Sequence, residues 1–241
     1  MLEQASYTFK YGPSEELLLN VPAGVFVPTG TSQSLVKAVK GYVKSPGKTV
    51  DLGCGCGAVG IALHKLGLIE GSLYASDLSE KAVESVNLNA KKYNCPVEAR
   101  AGSLFEPWSD EKFDCIVDDI SGVSEEAAKI SPWFNNVPCV AGADGTFLIV
   151  QVIQQAAKYL NHGGRLFFPI ISFSDVDKIV KVANDHFSHV ERLAHDVWPL
   201  PKEMSEHLGA LKALQQRGYV QFTEKFGLVL CFTDIYVAYN S

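Results

Sequence analysis

Long apolar stretches and dense positive charge are both missing from this sequence of 241 residues. No apolar run approaches the ~20 residues that a membrane-spanning helix needs, and the first residues lack the charged-then-apolar order of a signal peptide. Lys and Arg occur at most two in a row, and the formal net charge is −6. This balance argues against a basic track for nucleic acid. We therefore expect a cytoplasmic protein with no membrane association and no strong nucleic-acid binding.

Paired cysteines are also scarce. The sequence contains only six cysteines, and they are scattered, several of them within apolar runs. This usage is typical of reduced thiols in the cytoplasm rather than of a disulfide framework. Cys54 and Cys56 have a spacing that could suggest a metal site. Because no second pair and no His cluster lies at ligand spacing, we predict no bound metal.

A glycine-rich stretch is the most informative feature that is present. A short apolar run ends in Asp51, and Gly53, Gly55 and Gly57 follow at alternate positions before an apolar helical segment. Without a Cβ, the backbone can turn tightly here and bring bare N–H groups and a helix N-terminus against a ligand. The stretch therefore predicts a site for a nucleotide-like cofactor.

From about residue 49 the sequence alternates between strand and helix patterns. We predict strands at 49–52, 72–76, 97–101, 113–117, 165–170 and 190–197, followed without helices between them by 219–222, 228–232 and 235–239. This order predicts an α/β fold with a Rossmann-like, doubly wound, mostly parallel seven-stranded sheet and an antiparallel edge strand. Residues 1–48 are expected to form an extension that packs on the site. Residues 49–241 would form the cofactor-binding domain, with a helical insertion near 199–218.

Two cofactors fit the glycine-rich stretch. Gly55-x-Gly57-x-x-Gly60 matches the dinucleotide fingerprint, and Asp77 lies at the spacing of a ribose-binding acid, so NAD is one candidate. However, a carboxylate at the mouth of the loop, Asp51, would repel a pyrophosphate and attract the ammonium and sulfonium of S-adenosylmethionine, which we therefore favour. Asp77 would accept hydrogen bonds from a ribose diol. Both acids have structural alternatives, a helix cap for Asp77 and a solvated strand end for Asp51.

Several stretches beyond the glycine loop carry a family resemblance. They are Gly24-Val25-Phe26-Val27-Pro28-Thr29-Gly30-Thr31-Ser32, Ser76-Asp77-Leu78-Ser79, Gly102-Ser103-Leu104-Phe105-Glu106-Pro107 and the segments 140–146 and 160–166. With them, roughly residues 20–190 resemble class I S-adenosylmethionine-dependent methyltransferases, in particular the HemK-type protein-glutamine methyltransferases. The glycine loop, its acids and this resemblance together imply a set of cofactor-binding residues. They are Thr29, Thr31, Asp51, Gly53, Cys54, Gly55, Gly57, Asp77, Leu78, Ser103, Leu104 and Asp118.

One departure from that family concerns the acceptor. HemK-type enzymes carry Asn-Pro-Pro-Tyr after the fourth strand, where it holds a planar amide or amine. The matching residues here are Asp119-Ile120-Ser121-Gly122, so glutamine or adenine methylation cannot be carried over. The sequence also shows no counterpart of the helical N-terminal domain that handles the family's protein substrate.

Asp119 is our candidate catalytic residue. Its carboxylate could accept a proton from the methyl acceptor or neutralise a cationic one, although Asp118 and Asp119 could also be strand-end caps. Segment 131–136 could form a lid with Trp133 and Phe134 facing the acceptor, or simply pack. Trp198, at the start of the helical insertion, could cap the pocket, and the insertion could instead form a dimer surface.

The leading interpretation is a methyltransferase acting on a small-molecule acceptor rather than a planar amide. The alternatives are a protein or RNA methyltransferase with an altered clamp, and a protein that binds S-adenosylmethionine without turnover. An NAD-dependent oxidoreductase is less favoured, because no Ser-Tyr-Lys set is recognisable. The acceptor itself is unidentified at this level.

Overall fold

The computed structural model describes residues 4–120, 122–134 and 137–241, and its strands form two sheets. The first two strands, β1 (Gln4–Lys10) and β2 (Glu16–Pro22), pair as an antiparallel hairpin. The remaining strands form one large sheet. They are β3 (Thr49–Leu52), β4 (Leu73–Asp77), β5 (Val97–Ala101), β6 (Phe113–Asp118), β7 (Leu160–Ile171), β8 (His189–Pro199), β9 (Thr223–Lys225) and β10 (Leu228–Tyr239).

The strand order in the large sheet is β5-β4-β3-β6-β7-β10-β8, with β9 paired to β10. Strands β3 to β7 pair in parallel, whereas β10 runs antiparallel to β7, β8 and β9. The predicted mostly parallel sheet with an antiparallel edge is confirmed. The chain crosses over on both sides of β3, which is the doubly wound arrangement.

The end of the chain differs from the strand prediction. Segments 228–232 and 235–239 form one strand, β10, and 219–222 is not a strand. The polar pair Thr233-Asp234 suggested a break, but both residues are buried and stay in register with β7 and β8. The Asp234 carboxylate accepts hydrogen bonds from Arg192 and His195 of β8. These partners satisfy the buried acid, so the strand continues through it.

Helices cover both faces of the large sheet. They are α1 (Gly30–Tyr42), α2 (Ala58–Lys65), α3 (Glu80–Lys92), α4 (Glu125–Lys129), α5 (Phe147–Tyr159), α6 (Val176–His186), α7 (Lys202–Ser205) and α8 (Leu208–Gln216). The apolar faces of α1, α2 and α3 share one buried cluster with the hairpin, and those of α5 and α6 share another on the opposite face. Within the described residues, no helix is both long and apolar enough to span a membrane.

The hairpin and the short helices lie at the margins of the sheet. Asn89 of α3 accepts a hydrogen bond from the Asn20 N–H of β2 at 2.8 Å and donates to the Asn20 carbonyl at 2.9 Å. At the other margin, Met204 and Leu211 of α7 and α8 join a third apolar cluster with Phe173. The division of the chain at residue 48 stays a prediction.

Candidate active site

A cavity of about 780 Å³ lies at the carboxyl ends of the strands. Its walls come from the segments that follow β3, β4, β5 and β6, from the segment before α1, and from β7, β8 and β10. The chain leaves β3 and β6 in opposite directions along the sheet, so the cavity opens at the topological switch point. This is where doubly wound proteins bind their ligands.

The glycine loop lies against β4 and the end of β6. Gly53, Gly55 and Gly57 have φ values of 69°, 51° and 84°, in the left-handed region that favours glycine. A Cβ on Gly53 would lie 2.5 Å from Ile120 Cγ2. The N–H groups of Gly53 and Cys54 donate to the Ser76 carbonyl at 2.9 and 3.0 Å. The loop is therefore held by backbone contacts that tolerate no side chain at Gly53.

Asp77 connects the loop to the next helix. Its Oδ2 accepts from the Gly55 N–H at 3.0 Å, and its Oδ1 accepts from the Ser79 N–H at 2.9 Å. The residue also lines the cavity. Because a carboxylate oxygen can accept more than one hydrogen bond, these contacts orient Asp77 and leave it able to accept from a ligand.

The structure places Asp51 differently from the sequence prediction. Asp51 is buried behind the loop and is not among the residues that line the cavity. Its Oδ2 accepts from the Gly60 N–H of α2 at 2.9 Å, while its Oδ1 has no partner among the described residues. Burial, followed by the charge of Asp119, raises the pKa of Asp51 well above its usual value. Asp51 thus bonds to the first turn of α2, and its contact with a cofactor stays a prediction.

Asp119, which follows β6, is one of the carboxylates that line the cavity. Ser32 Oγ, at the start of α1, donates to Asp119 Oδ2 at 2.6 Å. Burial raises the pKa of Asp119 to about 7, although the Ser32 hydrogen bond lowers it. An acid with a pKa near neutrality can accept and release a proton under ordinary conditions, which suits a general base.

Asp118 lies behind Asp119 in the protein interior. It is completely buried, its Oδ1 accepts from the Ile120 N–H at 3.1 Å, and its Oδ2 finds no partner in the described part of the chain. Burial is the main reason that the pKa of Asp118 rises to about 8. Asp118 does not line the cavity, and its contact with a cofactor stays a prediction.

Aromatic side chains also line the cavity. They include Phe26, Trp133, Phe134 and Trp198. The Phe26 and Phe134 ring centroids are 5.4 Å apart, and those of Trp133 and Trp198 are 5.7 Å apart. The segment 131–136 was predicted to present two of these rings, and its residues 135 and 136 lie outside the described residues.

The structure brings most of the predicted site residues to one cavity. The predicted residues that line it are Thr29, Thr31, Gly53, Cys54, Gly55, Asp77, Leu78, Leu104 and Asp119, whereas Asp51, Gly57, Ser103 and Asp118 do not. Gly57 packs under the loop, where a Cβ would meet Val86. The Ser103 N–H donates to the Glu106 carboxylate.

Sequence reasoning missed four residues of this region. Ser32 donates to Asp119, and Phe26, Asp196 and Thr233 line the cavity. Phe26 and Ser32 lie in a motif that the sequence singled out. Asp196 and Thr233 carry no local signal, since the pairing register of β8 and β10 decides which face each one takes.

Comparisons with known proteins agree with this geometry. Residues 19–119 match the family described as "Methyltransferase small domain". The chain is 30% identical over 174 residues to the ribosomal protein L11 methyltransferase of Staphylococcus saprophyticus, covering 69% of this chain and 53% of that protein. It is 28% identical over 179 residues to the release factor glutamine methyltransferase of Gloeobacter violaceus, covering 70% and 62%. The chain thus spans only a little more than half the length of these curated relatives.

A solved structure shares the fold. The 16S rRNA N2 G1207 methyltransferase of T. thermophilus, solved in complex with AdoMet and guanosine, superposes with a TM-score of 0.63 at 16% identity. The match covers 100% of this chain and 51% of that one. The domain match, the two relatives and the sheet order agree with one another. The chain therefore has the fold of class I S-adenosylmethionine-dependent methyltransferases, and residues 19–119 match the small methyltransferase domain.

Proposed function

We propose that this protein transfers a methyl group from S-adenosylmethionine to a small molecule that carries an O–H or N–H group. The observation that carries the proposal is the composition of the 780 Å³ cavity. The glycine loop, Asp77 and several aromatic side chains line this one cavity. Asp119 lies at the end of the strand that adjoins the loop strand in the sheet, beside Ser32.

The residues at the loop end fit S-adenosylmethionine. The cavity volume is within the roughly 300–1,000 Å³ of small-molecule sites. Asp77 would accept from the ribose hydroxyls, and the apolar side chains of Leu78 and Leu104 would border the adenine. Thr29 and Thr31 supply hydroxyl groups beside the loop. When bound, S-adenosylmethionine supplies a methyl group already activated on a sulfonium, so the protein has only to position it and exclude water.

Asp119 would act as the general base toward the acceptor. Its carboxylate faces the cavity and is oriented by the Ser32 hydroxyl at 2.6 Å. In HemK-type enzymes this position holds a planar amide, whereas here it is occupied by an acid. A carboxylate is best matched by an acceptor group that can donate a proton. Ser121, within the same altered motif, lies outside the described residues.

A protein acceptor is the second candidate, because both relatives are named as methyltransferases of protein substrates. The net charge of −6 and the aromatic lining of the cavity favour a small molecule instead. We also propose a cytoplasmic location, which six unpaired cysteine thiols support.

The test is transfer of labelled methyl from S-adenosylmethionine into a fractionated cell extract. Label in small molecules would support the proposal. Label only in protein or RNA would show that the acceptor is a macromolecule instead of a small molecule. Tight cofactor binding without transfer to any fraction would favour a non-catalytic protein.

Two variants separate the proposed roles in this assay. Asp119→Asn should keep cofactor affinity and lose turnover by roughly 10²–10⁴-fold, the usual contribution of general acid–base catalysis. Turnover of the unsubstituted enzyme should rise as the pH increases through about 7, because the base must be ionised.

Asp77→Ala should instead weaken cofactor binding by about 1–3 kcal/mol.

A further inference from the structure

Resting on the proposed function, we infer that the part of the cavity lined by Trp133, Trp198 and Thr233 is an acceptor subsite for a flat aromatic compound that bears a hydroxyl or amino group and no negative charge. Trp198 is its specificity-determining residue. Three independent observations carry the inference: the position of the aromatic residues along the sheet, the fixed orientation of Trp198, and the charges of the cavity wall.

The sheet order places Trp198 three strands away from the strand that precedes Asp119, on the side opposite to the cofactor residues. Asp119 follows β6, Ile171 ends β7, Thr233 lies on β10 and Trp198 lies near the end of β8. These four strands are consecutive neighbours, and Thr233 pairs with both Ile171 and Asp196. With about 4.8 Å between adjacent strands, Asp119 and Trp198 are separated by a span of roughly 14 Å across the sheet. The cofactor residues lie in the other direction, after β3, β4 and β5.

Trp198 is held in one orientation. Its Nε1–H donates to Thr233 Oγ1 at 3.1 Å. Its ring also meets Trp133 at 84° and Phe173 at a centroid distance of 5.9 Å. Phe26 and Phe134 form a second aromatic pair on the same cavity. Aromatic rings that are fixed in this way favour planar ligands, which contact the ring faces and edges. Because the rings are already held in place, little side-chain entropy is lost on binding.

The charges of the wall exclude acidic acceptors. Among the described residues that line the cavity, the ionisable side chains apart from thiols are those of Lys37, Asp77, Asp119 and Asp196. Lys37 is exposed, whereas Asp119 is partly buried. An acceptor with a carboxylate or phosphate near its reacting atom would be repelled by Asp119 without a compensating cation. The cavity wall therefore disfavours a negatively charged acceptor.

Methyl transfer to the acceptor forms one bond, breaks one bond and moves one proton. The acceptor oxygen or nitrogen forms a bond to the methyl carbon, and the carbon–sulfur bond of S-adenosylmethionine breaks. The electron pair of that bond stays on sulfur, which becomes the thioether of S-adenosylhomocysteine. The acceptor proton goes to the Asp119 carboxylate.

The test measures the binding of three probes to the protein saturated with S-adenosylhomocysteine. The probes are 2-naphthol, its saturated analogue decahydro-2-naphthol, and the anionic 2-naphthoate. We expect 2-naphthol to bind at least about tenfold more tightly than either of the others. Equal binding of the planar and saturated alcohols would overturn the inference, as would preferred binding of the carboxylate.

Variants locate the binding in the subsite. Trp198→Leu should weaken 2-naphthol binding by about three- to tenfold, since aromatic pairs contribute roughly 0.5–1.5 kcal/mol beyond their buried area. Trp198→Phe should restore most of that loss. Phe226→Ala is the matched control, because Phe226 is 91% exposed at the β9–β10 turn.

The affinity for S-adenosylhomocysteine distinguishes a failure of the subsite from a failure of the proposed function. It should be unchanged in all variants, which also shows that they fold. Normal affinity for the product together with unaltered 2-naphthol binding in Trp198→Leu would refute the subsite alone. Failure of the unsubstituted protein to bind S-adenosylhomocysteine would refute the proposed function, and the subsite with it.

Discussion

Three carboxyl groups, those of Asp51, Asp118 and Asp119, lie at the ends of two adjacent strands with few hydrogen-bond donors. The donors that reach them are the N–H groups of Gly60 and Ile120 and the hydroxyl of Ser32. Burial is the largest cause of the raised pKa of each acid. Ionisation of this cluster is therefore unfavourable in the protein alone, and a bound sulfonium cation would offset it.

The burial of Asp118 predicts a pH-dependent stability. Its pKa is about 8 in the folded protein and near 3.8 in an ordinary environment, so the folded state binds the proton more tightly. The free energy of unfolding should then fall as the pH rises between these two values. Urea unfolding without cofactor should show lower stability at pH 9 than at pH 5. Asp118→Asn should raise stability at pH 9 by an amount on the order of 1–3 kcal/mol.

The control for Asp118→Asn is Asp110→Asn, which changes an exposed carboxyl group just before β6. It should leave the pH dependence as it is. A protein that is equally stable at pH 5 and pH 9, or an Asp118→Asn variant with the same slope, would mean that this acid is not buried in solution. Asp119 acts in the same direction, so the slope should shrink in the variant without disappearing.

A second prediction at the residue scale concerns a methyl group added at Gly53. Gly53→Ala would place a methyl group 2.5 Å from Ile120 Cγ2 and 3.1 Å from Ile120 Cα. Since the Cα cannot rotate away, the loop must move, at a cost of about 1–3 kcal/mol. Gly71→Ala is a close control, because Gly71 also has φ 69° and has open space around it. Cofactor affinity and urea unfolding should be impaired in Gly53→Ala well beyond the effect of Gly71→Ala.

At the scale of the elements, the buried side chain of Asn89 joins the hairpin to α3 and to the glycine loop. Asn89 bonds to both backbone groups of Asn20 and donates to the Cys56 carbonyl at 2.8 Å. Asn89→Ala removes the partner of the Asn20 N–H and of the Cys56 carbonyl, whereas the Asn20 carbonyl keeps the Ser85 hydroxyl at 2.8 Å. We expect a loss of about 1–3 kcal/mol in urea unfolding.

Asn87→Ala on the same helix provides the comparison for Asn89→Ala. Asn87 is exposed, and its amide bonds only to the Val83 carbonyl one turn away. We expect a change within about 0.5 kcal/mol for this surface variant. Equal losses in the two variants would show that the bridge to β2 contributes nothing to stability.

The hairpin was not predicted, although its sequence carries a strand pattern. In β2 the residues Leu17, Leu19 and Val21 are buried at alternate positions. That period of two is the signal of a half-buried strand. The start of α3 depends on neighbouring residues alone, since the Ser79 side chain caps it by accepting from the Ala82 N–H.

The whole molecule should respond to its cofactor as one cooperative unit. A ligand at 100 times its dissociation constant stabilises the folded state by about 2.7 kcal/mol. For a chain of this size, that corresponds to a rise in Tm of roughly 5–10 °C. S-adenosylmethionine should produce such a shift in a thermal unfolding experiment, and NADH at the same concentration should not. A shift with NADH alone would restore the dinucleotide interpretation of the glycine loop.

The sequence by itself determined the features that depend on neighbouring residues. The glycine conformations after β3, the helix caps and the alternation of strand and helix all arise within a few residues, so a local pattern is sufficient to predict them. Only the tertiary structure decided where Asp51 lies, that Ser32 meets Asp119 across 87 residues, and that Trp198 and Thr233 share one cavity. Burial, pKa and strand register depend on groups that are distant in the chain, and folding alone brings these groups together.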